Sequence, residues 1–156
     1  MRSVIKLADE KGIADIVEQQ FAVARQILDK GLVPIVEPEV SISSPQREAA
    51  DRILLREIVT QLEALDDGEC VMLKVTLPSE PNLFAPLVNH PKVLKVVALS
   101  GGYSRGEAIQ ELAKNNGMIA SFSRALLADI KDDMSDEEFD AALGHAIDEI
   151  YAASVS

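Results

Sequence analysis

The 156-residue chain carries 26 Asp and Glu against 15 Lys and Arg, a formal net charge of −11, and is 47% hydrophobic. That length suits one packed domain, and the acidic balance argues against nucleic acid or an anionic membrane surface as a partner, leaving a small anionic ligand open. No stretch nears the ~20 apolar residues of a membrane span, no basic-then-apolar export signal opens the chain, and the lone cysteine, Cys70, has no internal disulfide partner. Cys70 is expected to pack as a small hydrophobe, and a cytoplasmic location is expected.

In chain order, "MRSVIKL" reads as a short opening strand. Ile13, Ile16, Val17, Phe21, Ala24, Ile27 and Leu28 then recur at helical spacing, with Gly31 placed to end the helix. "LVPIVEPEV" is a strand too apolar for half exposure, tolerating Pro34 near its start and interrupted by Pro38. A second helix is predicted from about Gln46 to Leu65, with Ile53, Leu54, Ile58, Val59 and Leu62 on one face. "CVMLKVTL" and Val93 to Leu99 are further buried strands. Ser104 and Glu107 form a capping box for a helix through Leu112, and "GMIASFSRAL" turns from strand directly into a short helix. A second box, Ser135 and Glu138, opens a last helix striped by Phe139, Leu143, Ile147, Ile150 and Tyr151.

Apolar strands alternating with amphipathic helices predict a parallel sheet in an α/β protein, one domain or part of one. Glu37, Lys74, Ser100 and Arg124 fall at or near strand C-termini, at intervals averaging about 29 residues, near the ~31 per unit of a (β/α)₈ barrel. Half a barrel fits this spacing; an open doubly wound sheet fits the length.

Ligands of parallel α/β folds bind where strands end. A charge inside an apolar strand costs several kcal/mol, on the order of 3 to 5, unless it is paired or lines a wet site. Lys74 is therefore either the structural partner of a carboxylate such as Glu37 or a nucleophile. As a free amine it could attack a carbonyl and form a Schiff base, which activates the adjacent carbon, with Glu37 transferring protons. "LSGGYSRGEA" is either an ordinary turn or an anion cradle of exposed N–H groups. Arg124 stands at a helix start, a place unfavourable for a cation unless it binds phosphate or carboxylate. His90 and His145 read as surface or packing residues, Tyr151 as helix packing, and no cluster has metal-ligand spacing.

Four segments in order, "GLVPIVEPEV", "VMLKVTLPSEPN", "VVALSGGYSR" and "IASFSRAL", resemble class I fructose-bisphosphate aldolase of the bacterial type, from Met1 to Tyr151. That family is a (β/α)₈ TIM barrel of glycolysis and gluconeogenesis. It reversibly cleaves fructose 1,6-bisphosphate to glycerone phosphate and glyceraldehyde 3-phosphate through a lysine imine, with no metal or other cofactor. The resemblance implies that Lys74 is the Schiff-base lysine and Glu37 the proton-transfer group. Glu39 matches a second active-site glutamate, and Arg2 matches a substrate-contacting arginine. Ser100, Gly101, Gly102, Ser121, Ser123 and Arg124 match a phosphate site.

Family members are nearly twice as long, so residues 1–156 correspond to the C-terminal half, about strands 4 to 8, with Met1 inside the fourth strand. The implied partner is a phosphosugar, with no nucleic acid and no membrane, and a homo-oligomer or a separate N-terminal half completing the barrel. An isolated chain is then expected to self-associate and turn over little substrate. Two other readings stay open: another Schiff-base phosphosugar lyase, or a non-catalytic remnant that keeps the strand-end residues.

Overall fold

Each strand pairs with the one that precedes it in the sequence. The computed structural model describes residues 2–155; Met1, expected in the opening strand, and Ser156 lie outside the described residues. The elements are β1 (Arg2–Ile5), α1 (Glu10–Leu28), β2 (Ile35–Val40), α2 (Arg47–Glu63), β3 (Val71–Thr76) and α3 (Ala85–Val88). They continue with β4 (Val93–Leu99), α4 (Arg105–Leu112), β5 (Ile119–Ala120), α5 (Ser123–Leu126) and α6 (Asp136–Ser154). The five strands form one parallel sheet in the order β1-β2-β3-β4-β5.

Strand periodicity sorts the residues into two faces. Val71, Leu73 and Val75 are fully buried and join a core with Val36, Val96 and Ala98. Helix α1 supplies Ile13, Val17, Phe21 and Ala24 to that core, and α2 supplies Ala50, Leu54, Ile58 and Leu62. The alternate positions, Met72 and Lys74, are only half-buried. Helices thus cover one face, and the charged positions of the strands lie on the other.

The expected stops are present. Gly31, at φ +72°, donates its N–H to Leu28 O at 2.8 Å and turns the chain out of α1. Both capping boxes close, Ser104 with Glu107 and Ser135 with Glu138. Pro34 stands just before β2, where its carbonyl accepts from Met72 N. Pro38 has a larger effect: β2 pairs with β3 only through Ile35↔Met72 and Val36↔Leu73. Beyond that point side chains make the connection, among them Thr76 Oγ1 donating to Val40 O at 2.7 Å.

Three expectations change. Cys70 is not core: it is half-buried at the start of β3, beside exposed Leu32 and Leu94. The fourth expected strand shrinks to the two residues of β5, held by Ser121 N donating to Ala98 O at 2.7 Å. On α6 the large apolar stripe does not dock as a whole. Small residues, Ala146 and Ala153, make the buried contacts, while Phe139, Ile147 and Tyr151 are exposed. Ser154 Oγ accepts from Ala120 N at 3.1 Å, tying α6 to the short strand.

Helix α2 also anchors the loops that follow β3 and β4. Asp51 is buried, and its Oδ2 accepts from Ser79 N at 2.9 Å and Ser79 Oγ at 2.8 Å. Arg47 donates to Leu77 O and to Tyr103 Oη, with its guanidinium over the Tyr103 ring. Asp51 Oδ1 has no hydrogen-bond partner among the described residues, and Arg47 Nε stands 4.0 Å from Oδ2.

Burial pushes the Asp51 carboxyl up from its ordinary value, and the Ser79 hydrogen bonds and Arg47 offset only part of this. A raised folded-state value means the contribution of Asp51 to stability is complete below the unfolded value near ~3.9. It is lost as pH climbs through the folded value. Asp51→Asn keeps an acceptor for Ser79 and removes the titration. Its stability relative to the wild type should therefore rise between about pH 4 and neutrality. Urea midpoints across that range check this, and a pH-independent difference contradicts it.

Candidate active site

One residue beyond the Val36↔Leu73 pair, on each strand, stand Glu37 and Lys74. Both occupy the face without helices. Lys74 Nζ lies 3.0 Å from Glu37 Oε1, with side chains 27% and 21% exposed. Each sits in the middle of its strand rather than at the C-terminal end. Glu39, two residues on, faces the same way and is nearly buried. Its Oε2 accepts from Nε of Arg2, on the neighbouring strand β1, at 2.6 Å. The hydrogen bond to Glu39, then its charge, raise the Arg2 guanidinium above its ordinary value.

These four charges line a cleft of about 290 Å³ with Leu99, Ser100, Gly101, Ser121, Ser123 and Arg124. Every expected site residue except Gly102 borders it. Ser100 is buried directly after β4, and its carbonyl accepts from Tyr103 N at 3.0 Å, closing the glycine turn. Gly101 is required on two counts. Its φ is +64°, and a Cβ there would meet Ile42 Cγ2 at 2.9 Å and Thr76 Cγ2 at 3.3 Å. Gly102, at φ +110°, is exposed and outside the lining.

Arg124 is exposed on α5, which is a single turn of four residues. So short a helix has little dipole, so the dipole argument for an anion at Arg124 falls away. A different one replaces it: Lys74 is paired with Glu37 and Arg2 with Glu39, whereas Arg124 has no carboxylate partner among the described residues. Its charge is uncompensated beside three serines, a suitable arrangement for an anion. His90 and His145 stand away from the cleft: His90 Nδ1 accepts from Lys92 N, and His145 is exposed beside Glu149 on α6. Among the described residues no group of three or more His, Cys, Asp or Glu is arranged to hold a metal ion.

One residue at the site escaped the sequence reading. Gln20 of α1 is buried and hydrogen-bonds both backbone polar groups of Glu37. The sequence signals only its burial, since Gln20 is three residues after Val17 and four before Ala24, inside the apolar stripe.

Five parallel strands in sequence order, alternating with helices, make this an α/β fold resembling part of a TIM barrel. Among solved structures it is similar to fructose-bisphosphate aldolase from Plasmodium falciparum, determined in a ternary complex with TRAP and a small-molecule inhibitor. The TM-score is 0.77 and the identity 21%, and the match covers 99% of this chain and 56% of that one. This chain therefore spans little more than half the length of that aldolase. No protein-family model matches it. No helix among the described residues is long and apolar enough to cross a membrane.

Proposed function

We propose that the cleft carries the chemistry of a class I fructose-bisphosphate aldolase of the bacterial type. The observation that carries this reading is the 3.0 Å approach of Lys74 Nζ to Glu37 Oε1 in a cleft whose uncompensated cation is Arg124. A lysine and a proton-transfer carboxylate in contact, with an anion site alongside, are what imine-based cleavage of a phosphorylated ketose needs.

In that reaction Lys74, as the free amine, adds to the ketose carbonyl carbon, and loss of water leaves a protonated imine. Glu37 accepts the proton of the hydroxyl two carbons from the imine carbon. That oxygen's electron pair forms the aldehyde C=O, while the breaking C–C pair moves into the imine as an enamine. Glyceraldehyde 3-phosphate departs. Protonation of the enamine carbon and addition of water then release glycerone phosphate and restore the amine. Arg124, Ser100, Gly101, Ser121 and Ser123 hold a phosphate, and Arg2 and Glu39 act as a paired substrate contact. No metal enters any of these steps.

Borohydride reduction in the presence of glycerone phosphate tests the reading. A reduced adduct on Lys74, located by peptide mass mapping, supports it, and an unmodified Lys74 in folded protein contradicts it. Arg124→Ala tests the anion site. Losing a charge-assisted contact of roughly 1.5 to 3 kcal/mol should weaken phosphate binding about 10- to 100-fold. Calorimetric titration with inorganic phosphate measures this, and an unchanged affinity removes Arg124 from the site.

The same ion pair supports one other reading, in which Lys74 only neutralises Glu37 and the chain is a non-catalytic relative. That reading expects no adduct.

A further inference from the structure

Gln20 is 3% exposed and belongs to a helix on the far side of the sheet from the cleft, yet its amide is committed to the backbone of Glu37. Its Oε1 accepts from Glu37 N at 2.8 Å, and its Nε2 donates to Glu37 O at 3.1 Å. The two bonds bracket the Glu37 Cα and orient the peptide planes on both sides of it. This matters because the sheet holds Glu37 on one side only, through its pairing with Arg2 of β1. Pro38 offers no ladder donor, and the β2–β3 pairing ends one residue earlier, at Val36↔Leu73. At the residue that meets Lys74, a side chain from α1 therefore adds two hydrogen bonds to what β1 alone supplies.

We infer that Gln20 is a positioning residue, which aims the Glu37 carboxylate at Lys74 Nζ by clamping the Glu37 peptide groups. The inference rests on the role given to Glu37 above. A merely structural glutamine would satisfy two buried backbone groups and contribute only to stability. A positioning glutamine alters proton transfer while leaving imine formation and phosphate binding in place, because Lys74, Ser100 and Arg124 are carried by other elements.

Gln20→Met keeps the length and volume of the side chain and deletes both hydrogen bonds. Two readouts follow. Amide hydrogen exchange at Glu37 should accelerate at least about 10-fold, that of one lost hydrogen bond, while Leu73 and Val75 keep their protection. Glycerone phosphate C3–H exchange with solvent, followed by NMR, reads proton transfer in the full chain without an aldehyde. Its maximal rate should fall about 10- to 100-fold, the scale of a displacement of order 1 Å, at an unchanged half-saturation concentration. Lys74 should still be trapped by borohydride.

Unchanged Glu37 protection, an unchanged maximal rate, or a loss seen only in half-saturation overturns the inference. If Gln20→Met does not fold, Gln20→Glu retains the acceptor for Glu37 N and lacks the donor for Glu37 O. It should protect the Glu37 amide yet slow C3 exchange, and wild-type exchange in that variant overturns the inference equally. Absence of a Lys74 adduct in the wild type instead defeats the aldolase reading. The Glu37 amide then still decides whether Gln20 holds that backbone.

Discussion

Lys74→Met is expected to abolish the borohydride-dependent adduct with glycerone phosphate and to lower any cleavage activity by at least about three orders of magnitude. Among the described residues no other lysine borders the cleft: Lys95, also on the open face of the sheet, is exposed and outside the lining. The imine is the only feature of the proposed chemistry that makes the C–C bond labile, so deleting the amine removes the step itself rather than weakening it. Lys95→Met should leave the adduct intact and serves as the control. Methionine fills much of the space of the lysine stem, and Glu37 retains enough exposure to be solvated without its partner. The thermal midpoint of Lys74→Met should therefore stay within a few degrees of the wild type. Labelling that persists in Lys74→Met, or maps to another lysine, would end the assignment of Lys74.

Phe21→Ala should be the most damaging single change to the fold. Phe21 is fully buried on α1, in the cluster that joins α1 to the sheet. Deleting a buried phenyl ring costs about 3 to 5 kcal/mol through lost transfer energy and the cavity left behind. The whole stability of a domain this size is on the order of 5 to 15 kcal/mol. A fall of that size in the free energy of unfolding, measured by urea titration, is the expected result. A loss under about 1 kcal/mol would mean that the site collapses around the smaller side chain. The position is also adjacent to Gln20, so Phe21→Ala separates general weakening of α1 from loss of the Glu37 clamp. It should lower stability far more than Gln20→Met, and it leaves both hydrogen bonds to Glu37 available.

Much of the fold was legible because its signals are local. The apolar runs around Leu73 and Val96, the helical stripes through Phe21 and Leu54, and the two Ser-x-x-Glu boxes each follow from a few neighbouring residues. The clustering of Glu37, Lys74, Ser100 and Arg124 was foreseeable because equivalent positions on successive units of a parallel sheet come together in space, although Glu37 and Lys74 lie mid-strand rather than at the strand ends. Interactions that depend on tertiary packing were not legible. Nothing near Gln20 in the sequence indicates that its amide closes on a backbone 17 residues away. Nor does α2 show that Arg47 reaches Leu77 and Tyr103. The α6 stripe misled for a related reason: periodicity shows that a face is apolar, while what covers it depends on the neighbouring elements. There Ala146 and Ala153 dock, and Ile147 and Tyr151 are exposed.

The strict neighbour order of the sheet, β1-β2-β3-β4-β5, also bears on how the chain acquires its structure. Among the described residues each of β1 to β4 finds a ladder partner in the next βα unit, so these pairings span short stretches of chain. Loop closure is needed only over roughly one unit at a time, and its entropic cost grows slowly with length. Parallel sheets usually fold slowly because their contacts are distant in sequence. Here a chain emerging from the ribosome can add each strand to the edge left by the last. The pair that builds the cleft, β2 and β3, can therefore assemble before β4 and β5 exist.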